Sequence, residues 1–231
     1  MAKAGRLHLA RLLLVALVLA LAACGGGDDE AADTSGGVPA GTTTAPPSGP
    51  CETVDAVEPK ADGGEAAPTL PLDASKKWDL VVETSCGSFT IRLDLEQAPK
   101  TAASLVSLAQ NGFFDGTTFH RVVPGFVIQG GDPTGTGTGG PGYQTVDVPP
   151  PGTAYTEGVV AMAKAGFEAP GTSGSQFFVV TGADVGLPAE YAVVGKVTEG
   201  LETVQAIDAL GVGDGPPSQP VVIEKVTVVS E

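Results

Sequence analysis

Residues Phe119–Asp132 read FHRVVPGFVIQGGD, and this stretch carries the clearest structural signal in the chain. Two short runs typical of β-strands, Thr118–Val123 and Phe126–Gln129, lie on either side of Pro124-Gly125. Arg121 stands among apolar residues, and a partly buried arginine is costly unless another group uses its charge. One interpretation is an ion pair with a nearby carboxylate that serves only the structure. The other is that the guanidinium has a function.

Short runs rich in β-branched and aromatic residues continue along the chain from this stretch. Trp78–Cys86 and Gly87–Asp94 predict an antiparallel hairpin. Apolar residues at helical spacing predict one helix over Pro99–Asn111 and a shorter one over Leu201–Leu210. About eight short strands with two helices favour an antiparallel barrel or sandwich. The remaining strand-like runs are Gly158–Met162, Gln176–Val180, Ala192–Val197 and Val221–Val229.

Composition places the folded part in the last two thirds of the chain. Of 231 residues only 5% are aromatic, and every aromatic residue lies at or after Trp78. This predicts a single domain over 76–231, roughly 150 residues, which is enough to bury a core. The net charge of −15 argues against nucleic acid and anionic lipid as electrostatic partners. The chain has two histidines, and His8 lies in the N-terminal leader described below. Only His120 remains after it, so a mechanism that needs two histidines in the mature protein is excluded.

Residues 1–23 have the organisation of a secretory signal peptide. Three basic residues and no acidic ones precede the apolar run Leu12–Ala23, which is too short to cross about 30 Å of hydrocarbon as a helix. An uncleaved N-terminal membrane anchor is the alternative. Leu21-Ala22-Ala23-Cys24 resembles the bacterial lipobox, which implies cleavage before Cys24, lipid on Cys24, and an extracytoplasmic, membrane-anchored location in the cell envelope.

Residues 24–75 are rich in Gly, Ala, Thr, Pro and acidic side chains. Such a segment cannot bury enough apolar surface to offset the entropy of ordering, so we expect a disordered tether that starts at Cys24. A flexible coil of about 51 residues has an average reach of roughly 40 Å. The tether would therefore hold the domain near a membrane surface.

Cys51 and Cys86 are the cysteines left once Cys24 is set aside. Two cysteines in an exported chain predict a disulfide, and two free thiols are the alternative. We expect no metal site, because two thiols and the distant His120 lack the spacing of a ligand set.

Two other motifs have little chemical support. Gly135–Gly140 matches the pattern G-x-G-x-x-G, but Pro141-Gly142 follows and no helix starts there to hold a phosphate. Gly171–Ser175 contains serines without the G-x-S-x-G spacing of a nucleophile elbow. We therefore expect neither a nucleotide cofactor nor a serine hydrolase, and no other cofactor is indicated.

Between Trp78 and Val229 the chain resembles the cyclophilin family of peptidyl-prolyl isomerases. Phe119–Asp132 is similar to the family signature, and four blocks follow one another in the family's order. These blocks are FFDGTTFHR (Phe113–Arg121), GVVAMA (Gly158–Ala163), SGSQFF (Ser173–Phe178) and YAVVGKV (Tyr191–Val197). Four blocks in the right order over about 150 residues are far more specific than any single motif above.

The resemblance implies a mainly β fold, a closed eight-stranded antiparallel barrel capped by two helices. Carried over by position, it makes Arg121 the catalytic arginine, Gln129 a hydrogen-bonding partner of the substrate backbone, and His120 a residue that borders the groove. It also implies a pocket for the proline ring. The pocket residues are Phe126, Val127, Phe178, Leu187 and Tyr191, with Ala163 beside them.

Three positions depart from the better-known eukaryotic pattern of the family. Val127 stands where methionine is usual, Gly186 where tryptophan often lies, and Tyr191 where histidine is common. The pocket stays apolar, so we expect catalysis to survive these changes. The sequence gives no sign of oligomerisation, and we expect a monomer that acts on proline-containing segments of extracytoplasmic proteins. The alternatives are a non-catalytic module that binds proline segments on a membrane tether, and a passive envelope lipoprotein.

Overall fold

The computed structural model describes residues 51–231. The predicted signal peptide, Cys24 and residues 24–50 of the predicted tether lie outside this range. Within 51–231 no helix is long and apolar enough to cross a membrane. The same residues contain no group of three or more His, Cys, Asp and Glu side chains arranged to hold a metal ion.

The domain is built on one antiparallel sheet of nine strands, in the order β3-β11-β1-β2-β10-β7-β9-β5-β4, and a separate two-stranded sheet pairs β6 with β8. The strands are β1 (Trp78–Thr84), β2 (Gly87–Leu93), β3 (Thr117–Thr118), β4 (Arg121–Val123), β5 (Val127–Gly130), β6 (Thr145–Val146), β7 (Val159–Met162), β8 (Thr172–Ser173), β9 (Phe177–Val180), β10 (Val193–Glu199) and β11 (Val222–Ser230). The helices are α1 (Pro99–Gln110) and α2 (Leu201–Asp208). The prediction of a mainly β fold with two helices is confirmed.

The sheet curls into a half-barrel, and this differs in detail from the predicted closed barrel of eight strands. The edge strands β3 and β4 follow each other in the chain, and they are not paired with each other. A single bridge between Thr118 and Asp132 links β3 to the residues that follow β5. The strand count is higher than predicted for two reasons. The predicted run Thr118–Val123 is divided between β3 and β4, and β6 and β8 are two-residue strands that no sequence periodicity reveals.

Helix α1 packs its apolar face against the domain core, with contacts to β11 and β6. Pro99 occupies the first turn, where a missing N–H is harmless, and Ala102, Leu105 and Val106 are buried. In the core beneath, the rings of Phe114 and Phe119 both meet Phe177 edge-on with centroids 6.1 Å apart. These aromatic contacts fix β9 against the residue that follows β3 and against the loop after α1.

Residues 51–75 contain no helix or strand, yet they are fixed on the domain. Cys51 forms a disulfide with Cys86. The Lys60 ammonium donates to the carbonyls of Gly112, Phe113 and Asp115 at 3.2, 2.6 and 3.2 Å. The expectation of a disordered tether over 24–75 is therefore wrong for 51–75. The prediction from composition failed because this segment is ordered by polar contacts and a disulfide to the domain, so the segment needs little burial of its own apolar surface.

Reduction of the Cys51–Cys86 bond should destabilise the domain. The bond closes a loop with a sequence separation of 35 residues. The chain-entropy model gives about 4 kcal/mol for such a loop, the upper end of the roughly 2–4 kcal/mol that disulfides typically contribute. The free energies of unfolding of residues 49–231 from denaturant titrations with and without reductant should differ by that amount, and the mass should rise by two hydrogen atoms on reduction. The control Cys51→Ser should not respond to reductant. Equal midpoints in wild type with and without reductant would contradict the prediction.

Candidate active site

The hairpin of β4 and β5 brings the two main polar candidates together. Arg121 pairs with Gln129 in the β4–β5 register, and Gln129 pairs with Phe178 across β5 and β9. Directly opposed residues in antiparallel strands share a face, with Cβ atoms about 4.5–5.5 Å apart. Three of the predicted site residues therefore form one row across three strands.

Hydrogen bonds join this row to the glycine-rich segment 130–143. Nη1 of Arg121 donates to Oε1 of Gln129 at 3.3 Å, and Nε2 of Gln129 donates to Oε1 of Gln176 at 3.0 Å. Nε2 of Gln176 in turn donates to the carbonyl of Gly139 at 2.9 Å. Gln129 and Gln176 line an open groove of about 700 Å³ whose other wall is formed by residues 137–144.

An apolar cluster separate from the main core lies beside the row. It contains all six side chains predicted to form or flank the proline pocket: Phe126, Val127, Ala163, Phe178, Leu187 and Tyr191. Val127 and Phe178 are buried, and the other four are half-buried. The structure thus gathers the side chains of the predicted proline pocket into one partly exposed apolar cluster beside the polar row.

The glycine-rich segment is organised around a carboxylate. Asp132 is completely buried, and its oxygens accept hydrogen bonds from the backbone N–H groups of Thr134, Gly137 and Gly139 at 2.7, 2.5 and 3.2 Å. Burial opposes ionisation, but these bonds and one from the Thr134 hydroxyl together outweigh it and lower the pKa of Asp132. A phosphate bound at the G-x-G-x-x-G pattern of 135–140 would need these N–H groups, and Asp132 already occupies them.

Comparison with known proteins agrees with this geometry. The family model described as cyclophilin type peptidyl-prolyl cis-trans isomerase/CLD matches residues 80–228. The chain belongs to the cyclophilin family. The peptidyl-prolyl cis-trans isomerase-like 1 of Gibberella zeae is 39% identical over 158 residues, which cover 66% of this chain and 96% of that protein. The peptidyl-prolyl cis-trans isomerase A of Mycobacterium tuberculosis is 41% identical over 166 residues, 64% of this chain and 90% of that protein.

Solved structures give the same result. A cyclophilin type peptidyl-prolyl cis-trans isomerase of Cryptosporidium parvum superposes with a TM-score of 0.61 at 31% identity, covering 67% of this chain and 99% of that one. A second structure of that protein was obtained in the presence of the dipeptide Ala-Pro, and it superposes with a TM-score of 0.61 at 32% identity. The chain is thus a peptidyl-prolyl cis-trans isomerase by family and by relatives.

One pocket residue of this cyclophilin has no signal in the sequence. Tyr155 is completely buried, its hydroxyl donates to the carbonyl of Tyr191 at 2.8 Å, and it accepts from the N–H of Tyr191 at 3.0 Å. The Tyr155 ring also meets Tyr191 edge-on at 6.0 Å. Tyr155 therefore supports Tyr191, one wall of the predicted proline pocket, from behind. It lies in a proline-rich loop with no periodicity that could have identified it.

A buried lysine supports the same wall. The Lys164 side chain is only 2% exposed, its ammonium lies 3.1 Å from the Glu190 carboxylate, and it sits 5.5 Å above the Tyr191 ring. It also donates to the carbonyl of Glu168 at 3.2 Å. Lys164 thus ties the loop after β7 to Tyr191, the residue that replaces the family's more common histidine.

His120 lies apart from the row formed by Arg121 and Gln129. It lines a different cleft, of about 360 Å³, together with residues 56–59, 132–135 and 216–221. Both ring nitrogens are buried without a hydrogen-bond partner among residues 51–231. Burial is the main reason that the pKa of His120 is lowered, so the neutral imidazole is favoured.

Arg121 also forms an ion pair, as the structural interpretation of this residue requires. Its Nε donates to Oδ1 of Asp214 at 2.6 Å, and its Nη2 donates to Oδ2 at 3.1 Å. The hydrogen bonds from Arg121 lower the pKa of Asp214. Asp214 lies in the loop after α2, where the sequence gives no indication of a site residue.

Protonation of His120 should destabilise the fold. Because its pKa lies below the ordinary 6.5 in the folded state, the unfolded chain binds the proton more readily. The stabilising contribution is complete above about pH 6.5 and is lost as the pH falls through the folded-state value. Residues 51–231 contain no other histidine. Denaturation midpoints between about pH 7.5 and pH 5 should therefore fall less in His120→Gln than in wild type. An equal fall in both proteins would contradict this assignment.

Proposed function

We propose that this cyclophilin accelerates rotation about X-Pro bonds in extracytoplasmic proteins, with Arg121 stabilising the twisted amide and the apolar pocket holding the proline ring. The observation that carries the proposal is the row Arg121–Gln129–Phe178, which sets a guanidinium and an amide side chain beside the pocket. The Ala-Pro dipeptide used with the Cryptosporidium parvum relative supports proline-containing peptides as ligands.

The reaction needs a donor rather than a nucleophile. The barrier to rotation, about 18–20 kcal/mol, comes from resonance between the amide nitrogen and the carbonyl. As the bond twists, resonance is lost and the nitrogen gains a lone pair. A guanidinium that donates to this nitrogen binds the twisted amide more strongly than either planar form, which lowers the barrier. Arginine suits the task because it keeps its charge at any physiological pH and donates only.

The pocket and the groove supply the positioning. With the ring held in the apolar pocket and the flanking backbone held by Gln129, rotation is confined to one bond. A charge-assisted hydrogen bond contributes about 1.5–3 kcal/mol, roughly a ten- to hundredfold gain in rate. The remaining acceleration comes from orientation and from excluding water. No proton transfer is needed, so the rate should show no midpoint near the pKa of a histidine.

Replacement of Arg121 should abolish most of the catalysis and leave the fold intact. In residues 49–231, Arg121→Ala should reduce the acceleration of a short X-Pro peptide by roughly ten- to a hundredfold. Arg92→Ala is the matched control, because Arg92 also pairs with an aspartate, Asp79, on strands far from the site. Line-shape analysis of the peptide by NMR gives the exchange rate directly.

The same experiment separates the catalytic proposal from its alternative. If the well-folded wild type binds the peptide but does not accelerate its isomerisation, the protein is a non-catalytic module that binds proline segments. Full acceleration by Arg121→Ala would remove Arg121 from the mechanism.

The location of the enzyme rests on Cys24 and the segment before it. We expect signal cleavage before Cys24 and lipid on its sulfur and new amino group, so that the whole chain partitions into membranes. Cys24→Ser should release the protein into the soluble fraction, and the mass of its N-terminal peptide should be lower than that of wild type by the mass of the lipid. Unchanged membrane association of Cys24→Ser would favour the uncleaved anchor instead.

A further inference from the structure

Asp214 contacts the proposed catalytic arginine across a sequence separation of 93 residues. We propose that Asp214 is a positioning residue for the isomerase reaction, holding one edge of the Arg121 guanidinium so that the other edge stays turned toward Gln129 and the substrate amide. This inference rests on the proposed function of Arg121.

The division of the guanidinium's donors supports this role. A guanidinium has five N–H bonds in a fixed plane. Asp214 accepts from Nε at 2.6 Å and from Nη2 at 3.1 Å, and Gln129 accepts from Nη1 at 3.3 Å. Among the contacts of residues 51–231 this leaves one N–H on Nη1 and one on Nη2. Either of these N–H groups can donate to a substrate nitrogen while the ion pair with Asp214 stays intact.

The loop that carries Asp214 is fixed at both of its ends on the β4–β5 hairpin. The carbonyl of Gly215 accepts a hydrogen bond from the N–H of Val122 at 2.8 Å, next to Arg121 in the chain. Gly211 lies so close to Pro124 that a Cβ on Gly211 would stand 2.7 Å from the proline ring. The carboxylate is therefore held near Arg121 by a backbone hydrogen bond to the strand that carries the arginine and by packing against the proline of the following turn.

Stability is a poor explanation for this ion pair. The Asp214 side chain is 69% exposed and the Arg121 side chain 31% exposed, and an exposed pair adds little to the free energy of unfolding. Orientation is a better one, because a free arginine side chain samples many rotamers and only those that face the amide are productive. A bidentate carboxylate restricts the guanidinium to one plane.

The negative charge of Asp214 also has an opposing effect. It weakens the positive potential that Arg121 offers to the substrate nitrogen. If orientation is the larger effect, removing the charge slows isomerisation; if the charge effect is larger, removing it speeds the reaction. The direction of the rate change therefore decides the role.

The test compares Asp214→Asn, Asp214→Ala and Asp214→Glu in residues 25–231, with Arg121→Ala alongside. We expect the exchange rate on the bound peptide to fall roughly three- to tenfold in the Asn and Ala variants and to recover at least in part in the Glu variant. Peptide affinity should change less than twofold. Glu224→Gln, an exposed acid on β11, controls for the change in net charge.

A spectroscopic readout separates positioning from a merely structural role. After residue 24 the chain contains only two arginines, Arg92 and Arg121. Each donates its Nε–H to an aspartate, so the ¹⁵N spectrum should show two protected Nε–H signals. In Asp214→Asn the Arg121 signal should shift and exchange faster with water, and the Arg92 signal should stay unchanged as an internal reference.

The outcomes distinguish this inference from the function on which it rests. Wild-type rates in Asp214→Asn and Asp214→Ala, together with an inactive Arg121→Ala, would overturn the positioning role and leave the proposed mechanism intact. A faster reaction in Asp214→Asn would overturn it as well. An active Arg121→Ala would instead overturn the proposed mechanism. A lowered rate accompanied by a large fall in melting temperature and an unshifted Arg121 signal would assign Asp214 to loop structure alone.

Discussion

The register of β4 against β5 is the constraint on which the site depends. Val122 and Ile128 pair with each other and are completely buried in the main core. Because side chains alternate between the two faces of a strand, their burial forces Arg121 and Gln129 onto the opposite face. A slip of one residue would bury the guanidinium and expose the two apolar side chains, which makes the observed pairing strongly preferred.

Two buried or half-buried charges then shape the walls of the groove. Asp132 accepts hydrogen bonds from N–H groups of the glycine-rich segment, while the carbonyl of Gly139 in that segment accepts from Gln176 of the groove. Lys164 draws the loop after β7 against the ring of Tyr191. Each charge is matched by several polar partners, and this is the condition under which a buried charge is tolerated in a fold.

Residues 51–75 add a third kind of support, from outside the barrel. The disulfide fixes the first of these residues to the turn between β1 and β2, and Lys60 binds the carbonyls that end the turn after α1. Further along, the N–H of Gly63 donates to the carbonyl of Gly140 at 2.9 Å, on the glycine-rich segment. The N-terminal segment thus contacts a wall of the groove, and order in this segment comes from contacts with the domain rather than from its own composition.

The mainly β class, the two helices, the β1–β2 hairpin and the strands that carry Arg121 and Gln129 could be predicted from the sequence, because they depend on local periodicity and on residues that lie close together in the chain. The apolar residues of the proline pocket were predicted from the resemblance to the family. The tertiary structure was needed to show that Phe178 joins Arg121 and Gln129 in one row, that Asp214 meets Arg121, that Tyr155 stands behind Tyr191, and that 51–75 is fixed on the domain. These contacts join residues separated by 93 and 36 positions, or join a polar segment to distant carbonyls. No sequence pattern within one helix, strand or loop predicts these contacts, because they form only when the sheet has curled and its loops have come together.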